Sequence, residues 1–277
     1  VAIPGSRNLF SVLQEAFRHE EPTRNRLRLS KSVHTFLEDF RWFASELSAR
    51  PTRLAEIIPT TPAVVGACDA SGDGMGGVFF APDLQGNVQP CLWRHRFPRR
   101  VSSRLVSFTN PSGDINNGDL ELCGNIAHHT VVADTLDVQE RTIWTGSDNT
   151  ANVYWMRKGS TTTTKPPAYL LRLQGYHQRT HRYVSQHDYV PGTANAMADI
   201  CSRSWELSND ALLSLFNHKF PQTNSWQLCP LNSDWTSKLI SALHKKPSAM
   251  QSVPKTPRPR TAIGTFGPRS VCGTTSI

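Results

Sequence analysis

The sequence predicts a mixed α/β fold in which a five-stranded mixed sheet is flanked by helices, with helical extensions at both ends. Two observations predict this class. Residues 63–94 hold three short apolar runs joined by tight turns, which is the pattern of an antiparallel meander. Two more strand-like runs follow, and one or two amphipathic helices precede each of them, as expected of a sheet covered by helices. The predicted order in this region is βββ-α-β-α-α-β-α.

The N-terminal part of the chain predicts a helix before the sheet begins. Residues 31–50 carry apolar side chains at the i, i+3, i+4 and i+7 spacing of an amphipathic helix, and Pro51 ends it. Composition then divides the chain into a helical connection segment (1–59), an α/β domain (60–206), a short helical extension (207–246) and a Pro/Ser/Thr/Gly-rich tail expected to be disordered (247–277).

The central elements follow from local patterns. The run that begins at Ala63 is apolar almost throughout and contains Asp69 near its end, which predicts a strand buried on both faces. A Gly-rich turn leads to a second strand at 78–80, and a third follows at about 88–94. Residues 95–117 predict a loop. Asn116 or Asn117 can cap the next helix, which shows one apolar stripe: Leu120, Cys123, Ala127 and Val131.

The later elements alternate between strand and helix. Residues 142–144 predict the fourth strand, and residues 147–149 open a helix. A further helix follows Pro166 and Pro167, because its leucines recur at helical spacing. Residues 183–190 predict the fifth strand, and residues 195–205 predict the last helix of the domain.

Composition limits the classes of protein and of partner. The net charge of +8 and the pI of about 9.4 suit a polyanionic partner, although a solvated basic tail explains them equally well. No apolar run is long enough to span a bilayer, so we expect no membrane partner. The six cysteines are scattered and form no zinc motif, which predicts reduced thiols and a cytoplasmic or nuclear location. The missing signal peptide and initiator Met suggest a fragment of a longer chain, or a trimmed one.

Four acidic residues occupy distinctive positions. Asp69 lies near the end of the first strand, Glu121 one turn into the long helix, Asp148 after the fourth strand and Asp199 in the last helix. Such a cluster would hold two Mg²⁺ ions, with Mn²⁺ as a substitute, and phosphodiester hydrolysis uses such an ion pair. Taken singly, Asp148 is better explained as a helix cap and Glu121 as part of a solvated helix face. Other acids are expected to be ordinary solvated charges: Asp73, Asp114, Asp119, Asp134 and Asp137.

Four segments resemble the RNase H domain of retroelement reverse transcriptases, over about residues 60–206. These are GACDASGDGMGGVFF, DLELCGNIAHH, WTGSDNTANVYW and YVPGTANAMADICSR. The last is the most specific, because it is similar to the V-P-G-x-x-N-x-x-A-D-x-x-S-R segment of gypsy-like and DIRS-like elements. The resemblance implies a ribonuclease H-like fold, an upstream polymerase domain, and metal-dependent cleavage of the RNA strand of RNA–DNA hybrids. It gives the four metal-site roles to Asp69, Glu121, Asp148 and Asp199, with Asp199 the least essential.

Some features depart from the resemblance or allow other interpretations. Many cellular relatives carry a His loop before the last acid, whereas residues 191–199 contain no His and His187 lies upstream. His128 and His129 point in different directions on a helix, so we expect ordinary histidines rather than a ligand pair. The alternative to the nuclease is an inactive or domesticated module that binds nucleic acid or connects domains. A basic loop that grips phosphates remains open for four arginines: Arg94, Arg96, Arg99 and Arg100.

Overall fold

The structure, a computed structural model, describes residues 7–19, 31–82, 85–161 and 166–246. Within these residues the chain forms a six-stranded mixed sheet flanked by helices, which confirms the predicted mixed α/β class. The order across the sheet is β5-β4-β1-β2-β3-β6. The strands are β1 (Val64–Ala70), β2 (Gly74–Pro82), β3 (Val88–Arg96), β4 (Thr142–Ser147), β5 (Val184–Tyr189) and β6 (Gln227–Leu228).

The pairing of the strands fixes where the acidic residues meet. β1, β2 and β3 form the predicted antiparallel meander, while β4 runs parallel to both β1 and β5. The register pairs Ala67 of β1 with Gly146 of β4. Parallel strands end at the same edge of a sheet. Asp69, near the end of β1, and Asp148, just after β4, therefore lie at one edge.

The prediction of five strands was wrong, because β6 adds a sixth. β6 lies in the extension predicted to be helical, and it pairs parallel to β3 through Cys91 and Leu92. A strand of two residues has no periodicity of its own, so the exposed edge of β3 rather than the local sequence determines it.

Helices flank the sheet, and further helices precede and follow the α/β region along the chain, as predicted. The predicted loop at 95–117 contains one short helix, and a 3-10 turn, Gly192–Asn195, precedes the last helix of the domain. The helices are α1 (Arg7–His19), α2 (Lys31–Ala49), α3 (Arg99–Ser102), α4 (Asn117–Thr135), α5 (Thr150–Lys158), α6 (Pro166–His181), α7 (Ala196–Arg203), α8 (Asn209–Lys219) and α9 (Ser233–Leu243).

Helix α4 is the centre of the hydrophobic core. Every residue from Asp119 to Ala133 is buried, because the helix lies between β1 and β2 on one side and α6 and α9 on the other. The prediction of a single apolar stripe on this helix was therefore too narrow. Burial on all sides brings Glu121 into the protein interior.

Helix α7 packs closely on the meander, and a glycine makes this possible. A Cβ atom built on Gly76 of β2 would lie 2.6 Å from the Cβ of Cys201 in α7 and 2.8 Å from its carbonyl carbon. Contacts this short are excluded, so Gly76 sets the distance between α7 and the sheet. This packing brings Ser202 and Arg203 beside the end of β1.

Buried ion pairs attach α2 and the turn after it to α6. Arg172 of α6 donates hydrogen bonds to Asp39 of α2, and both side chains are buried. Glu56 lies 3.5 Å from Arg179 and also pairs with Arg50 and Arg182. The predicted domain boundaries remain predictions, and the tail at 247–277 lies outside the described residues.

The structure also describes the state of the thiols and the lengths of the apolar helices. The five cysteines that the structure describes are free and buried, whereas Cys272 lies outside those residues. Among the described helices, none is long and apolar enough to cross a bilayer.

Candidate metal centre

Three of the four predicted carboxylates meet at one edge of the sheet. Asp69 of β1, Glu121 of α4 and Asp148 after β4 each offer an oxygen, and these oxygens lie within 4.8 Å of one another. We call these residues the acidic triad. Distant parts of the chain supply them, and the parallel pairing of β1 with β4 and the packing of α4 on β1 bring them together.

Helix α4 carries Glu121 into the triad. The side chain of Asn116 caps the helix by accepting a hydrogen bond of 2.9 Å from the backbone N–H of Asp119, whose carboxylate accepts from the backbone of Asn116. One turn later Glu121 is only 5% exposed, so its interpretation as part of a solvated face was wrong. Burial, together with repulsion from Asp69 and Asp148, raises the pKa of Glu121 to about 9.

Helix α7 holds Asp69 from the other side. The hydroxyl of Ser202 donates to one carboxylate oxygen of Asp69, and the guanidinium of Arg203 lies 3.7 Å from the same oxygen. Asp69 is 3% exposed, and burial raises its pKa although Ser202 and Arg203 act in the opposite direction. The carboxylate of Asp69 is thus held in one orientation, while burial disfavours its ionised form. A bound cation would stabilise that form.

Asp148 does not cap the helix that follows it. The side chain of Asn149 accepts a hydrogen bond of 3.1 Å from the backbone N–H of Asn152, so Asn149 is the cap of α5. The interpretation of Asp148 as a helix cap was therefore wrong. Its carboxylate is half-buried and belongs to the acidic triad.

Asp199 lies outside the triad. Its side chain is 50% exposed and forms an ion pair with Arg203, one turn further along α7. Because the guanidinium of Arg203 also lies near Asp69, this one side chain links the two aspartates. The role of Asp199 as a fourth metal ligand stays a prediction.

The donor set of the triad fits a divalent cation. All the ligand atoms are carboxylate oxygens, which Mg²⁺ and Mn²⁺ prefer. The Oε2 atom of Glu121 is buried and has no hydrogen-bond partner within the described part of the chain. A buried oxygen without a partner is costly, and metal coordination would satisfy it.

The histidines and arginines that the sequence analysis considered lie outside the acidic triad. His128, His129 and His187 are buried in α4 and β5, and the ring of His129 lies next to those of His128 and His187. The four arginines do not form a loop, because Arg94 and Arg96 lie in β3 and Arg99 and Arg100 lie in α3. Arg94 donates to the backbone oxygens of Ser204 and Leu207. Neither the histidines nor the arginines belong to the group that could hold a metal ion.

Two features of the site escaped the sequence analysis. Asp119 was expected to be solvated, but it is buried and completes the cap that positions Glu121. Ser202 and Arg203, which contact Asp69, received no role, although they are the S-R of the quoted P-G-x-x-N-x-x-A-D-x-x-S-R segment. The fixed spacing between that S-R pair and Asp199 was the available signal.

No protein-family model matches the chain, and no curated protein matches its sequence. Among solved structures, the RNase H1 of the halophilic archaeon Halobacterium salinarum NRC-1 matches with 17% sequence identity and a TM-score of 0.33. The match covers 51% of this chain and 95% of the archaeal chain. We therefore base the proposed function on the geometry of the carboxylates and on the sequence motifs.

Proposed function

We propose that this protein is a ribonuclease H-type endonuclease that uses divalent metal ions to cleave the RNA strand of RNA–DNA hybrids. The observation that carries the proposal is the convergence of Asp69, Glu121 and Asp148, whose oxygens lie within 4.8 Å of one another. Three buried or half-buried carboxylates at one point repel each other. Such an arrangement is expected where a cation binds.

The residues of the site have distinct tasks in this proposal. Asp69, Glu121 and Asp148 bind the metal, and Ser202 holds the carboxylate of Asp69 in place through its hydroxyl. Two Mg²⁺ ions would activate a water molecule and stabilise the charge on the leaving oxygen. Asp199 is proposed as a fourth, weaker ligand, reached through exchange of its ion pair with Arg203.

The wider context of the proposal comes from the sequence motifs. The four segments resemble retroelement reverse transcriptases of the gypsy-like or DIRS-like type, so we propose a polymerase domain upstream in a longer polyprotein. The net charge of +8 suits a nucleic-acid substrate. Recognition of the hybrid would then depend on 2′-hydroxyls and phosphates rather than on base sequence.

Cleavage of a labelled hybrid tests the proposal. The purified chain is incubated with an RNA–DNA hybrid that carries a label on the RNA strand, in Mg²⁺, in Mn²⁺ or in chelator. We expect metal-dependent cutting of the RNA strand, and no cutting of duplex DNA. Asp69→Asn should abolish cutting because it removes a metal ligand, whereas Asp210→Asn, an exposed acid on α8, should not. Equal cutting by the parent and Asp69→Asn would refute the assignment.

A second candidate function has one specific observation in its favour. The guanidinium of Arg203 already supplies a positive charge 3.7 Å from Asp69. That contact suits a protein that binds a hybrid without cleaving it, because the arginine partly replaces a metal ion. Tight binding of the hybrid, with no cutting in Mg²⁺ or Mn²⁺, would favour this second function.

A further inference from the structure

One loop presents an aromatic side chain entirely to solvent. Residues 103–115, which we call the Phe108 loop, connect α3 to α4, and the side chain of Phe108 is 103% exposed. Val106 in the same loop is half exposed. Single exposed apolar side chains are common on protein surfaces. A fully exposed ring marks a contact surface only where the position and charge of its surroundings also favour a ligand.

Hydrogen bonds hold the Phe108 loop in one conformation. The backbone of Val106 donates to Ile115 over 2.8 Å, and Ser107 and Asn110 exchange backbone hydrogen bonds of 3.1 Å. The side chain of Asn110 also donates to the carbonyl of Leu105 over 2.9 Å. Phe108 is thus held away from the core by an ordered loop, and binding through it would cost little conformational entropy.

The Phe108 loop lies beside the acidic triad. Ser102, just before the loop, donates a hydrogen bond of 3.2 Å to the carbonyl of Gly72, in the turn that follows Asp69. A Cβ built on that glycine would lie 3.3 Å from Leu105 of the loop. At its other end the loop leads directly into α4, which carries Glu121. A ligand on the triad would therefore extend towards this loop.

Positive charges surround the base of the loop. Arg99 and Arg100 of α3 are exposed, and so is Lys246. Arg104 contacts the ring of His244 at 2.6 Å. Burial lowers the pKa of His244, and the charges of Arg104, Arg100 and Lys246 lower it further, whereas Asp114 acts in the opposite direction. Asp114 pairs with Arg104 and Lys245, so Arg99, Arg100 and Lys246 carry the remaining positive charge at the base of the loop. A surface of this charge favours a polyanion.

We propose that the Phe108 loop binds the nucleic-acid duplex next to the cleavage site. In this arrangement Arg99, Arg100 and Lys246 contact phosphates, while Phe108 packs against a base or a sugar. The inference rests on the proposed function, since it takes the RNA–DNA hybrid as the ligand. Hybrids with A-form character present a wide and shallow minor groove, and a side chain at the tip of a loop can reach into such a groove.

Binding measured without cleavage tests the loop separately from catalysis. The affinity for a fluorescent RNA–DNA hybrid is measured in chelator by anisotropy, for the parent chain and for Phe108→Ala. Partial burial of the Phe108 ring in the minor groove predicts that the alanine substitution weakens binding by about 5- to 30-fold. Phe17→Ala is the matched control, because Phe17 is an exposed phenylalanine of α1, and it should bind like the parent.

The basic residues give a second measurement that a folding defect would not imitate. Each phosphate contact contributes roughly 0.9 to the slope of log affinity against log salt concentration. Arg100→Ala combined with Lys246→Ala should therefore reduce the slope by about 2. Equal thermal unfolding of the parent and of Phe108→Ala would show that the fold is retained.

The outcomes separate the two proposals. If the parent neither binds nor cleaves the hybrid, the proposed function and this inference both fail. If the parent binds and cleaves but Phe108→Ala and the double variant bind equally well, only the role of the loop is refuted. If Phe108→Ala changes the oligomeric state and leaves hybrid binding unchanged, the loop contacts a second copy of the chain instead, which also overturns the inference.

Discussion

The buried histidine His129 should make the protein sensitive to acid. Its ring is fully buried in α4, 5.1 Å from the ring of His187 and close to Tyr183. Burial lowers the pKa of His129 from 6.5 to about 4, although the nearby side chain of Gln174 opposes the shift. The neutral ring is therefore the form that the folded protein accepts, and protonation favours unfolding.

The pKa values give the size and the sign of this effect. The folded value of about 4 lies below the unfolded value of 6.5, so the unfolded chain binds more protons between these values. Stability is complete above pH 6.5 and is lost as the pH falls towards 4. The difference of about 2.5 pH units corresponds to about 3 kcal/mol in full, of which about 2 kcal/mol is lost between pH 7 and pH 5.

Urea unfolding at pH 7 and pH 5 measures this loss. We compare the parent chain with His129→Gln, which cannot be protonated, and with His218→Gln, which removes an exposed histidine of α8. The free energy of unfolding of His129→Gln should fall by about 2 kcal/mol less than that of the parent over this range. Because the pKa of Glu121 is raised, protonation of Glu121 stabilises the fold as the pH falls. This contribution is the same in the parent and in His129→Gln, so it cancels when their free energies of unfolding are compared. Parallel losses in the parent and in His129→Gln would refute the argument.

Three further changes test the packing and the site. Glu56→Gln removes the buried charge that faces three arginines, so urea unfolding should show a loss of about 3–5 kcal/mol. Glu121→Gln removes repulsion within the acidic triad, so the metal-free variant should melt at a higher temperature than the parent, and added Mg²⁺ should stabilise only the parent. Gly76→Ala places a methyl group against the backbone of α7, and calorimetry should show a destabilised fold. Gly86→Ala meets no neighbouring atom and should cost only the roughly 1–2 kcal/mol of a left-handed alanine, because the φ of Gly86 is 83°.

Local patterns predicted most of the sheet and several helices. The meander of β1, β2 and β3 was predicted because turn residues separate its apolar runs, and α2 because its apolar residues follow helical spacing. Asn116 was one of two expected caps of α4, and it is the cap. In each of these elements the signal is local, so the sequence contains it.

Other features depend on contacts between distant segments, which local patterns do not contain. Helix α4 is buried on all sides, yet it contains Asn125, His128 and His129, so its sequence resembles that of a half-exposed helix. β6 exists only because β3 offers an open edge. The contact of Ser202 with Asp69 follows from the packing of α7 on β1 and β2, whereas the spacing within α7 indicates only that Ser202 belongs to the motif.

The acidic residues illustrate the same limit at the site. Taken singly in the sequence, Asp148 and Glu121 had ordinary explanations, and the burial of Glu121 and the capping of α5 by Asn149 exclude them. The motif resemblance supplied their joint position with Asp69 before the structure did, since it assigned all of them to one site. It also ranked Asp199 as the least essential ligand, and in the structure Asp199 lies outside the acidic triad and forms an ion pair with Arg203.

Burial of α4 connects the candidate site with the stability of the protein. Glu121 and His129 lie two turns apart on this helix, and each is buried in a state that disfavours its charge. The carboxyl group opposes folding as the pH rises from 4.5 towards 9, and the imidazole opposes it as the pH falls from 6.5 towards 4. A divalent cation on the acidic triad offsets only the first effect, because it binds the ionised carboxylate. Binding of a divalent cation would therefore stabilise the protein at neutral and alkaline pH and leave its sensitivity to acid unchanged.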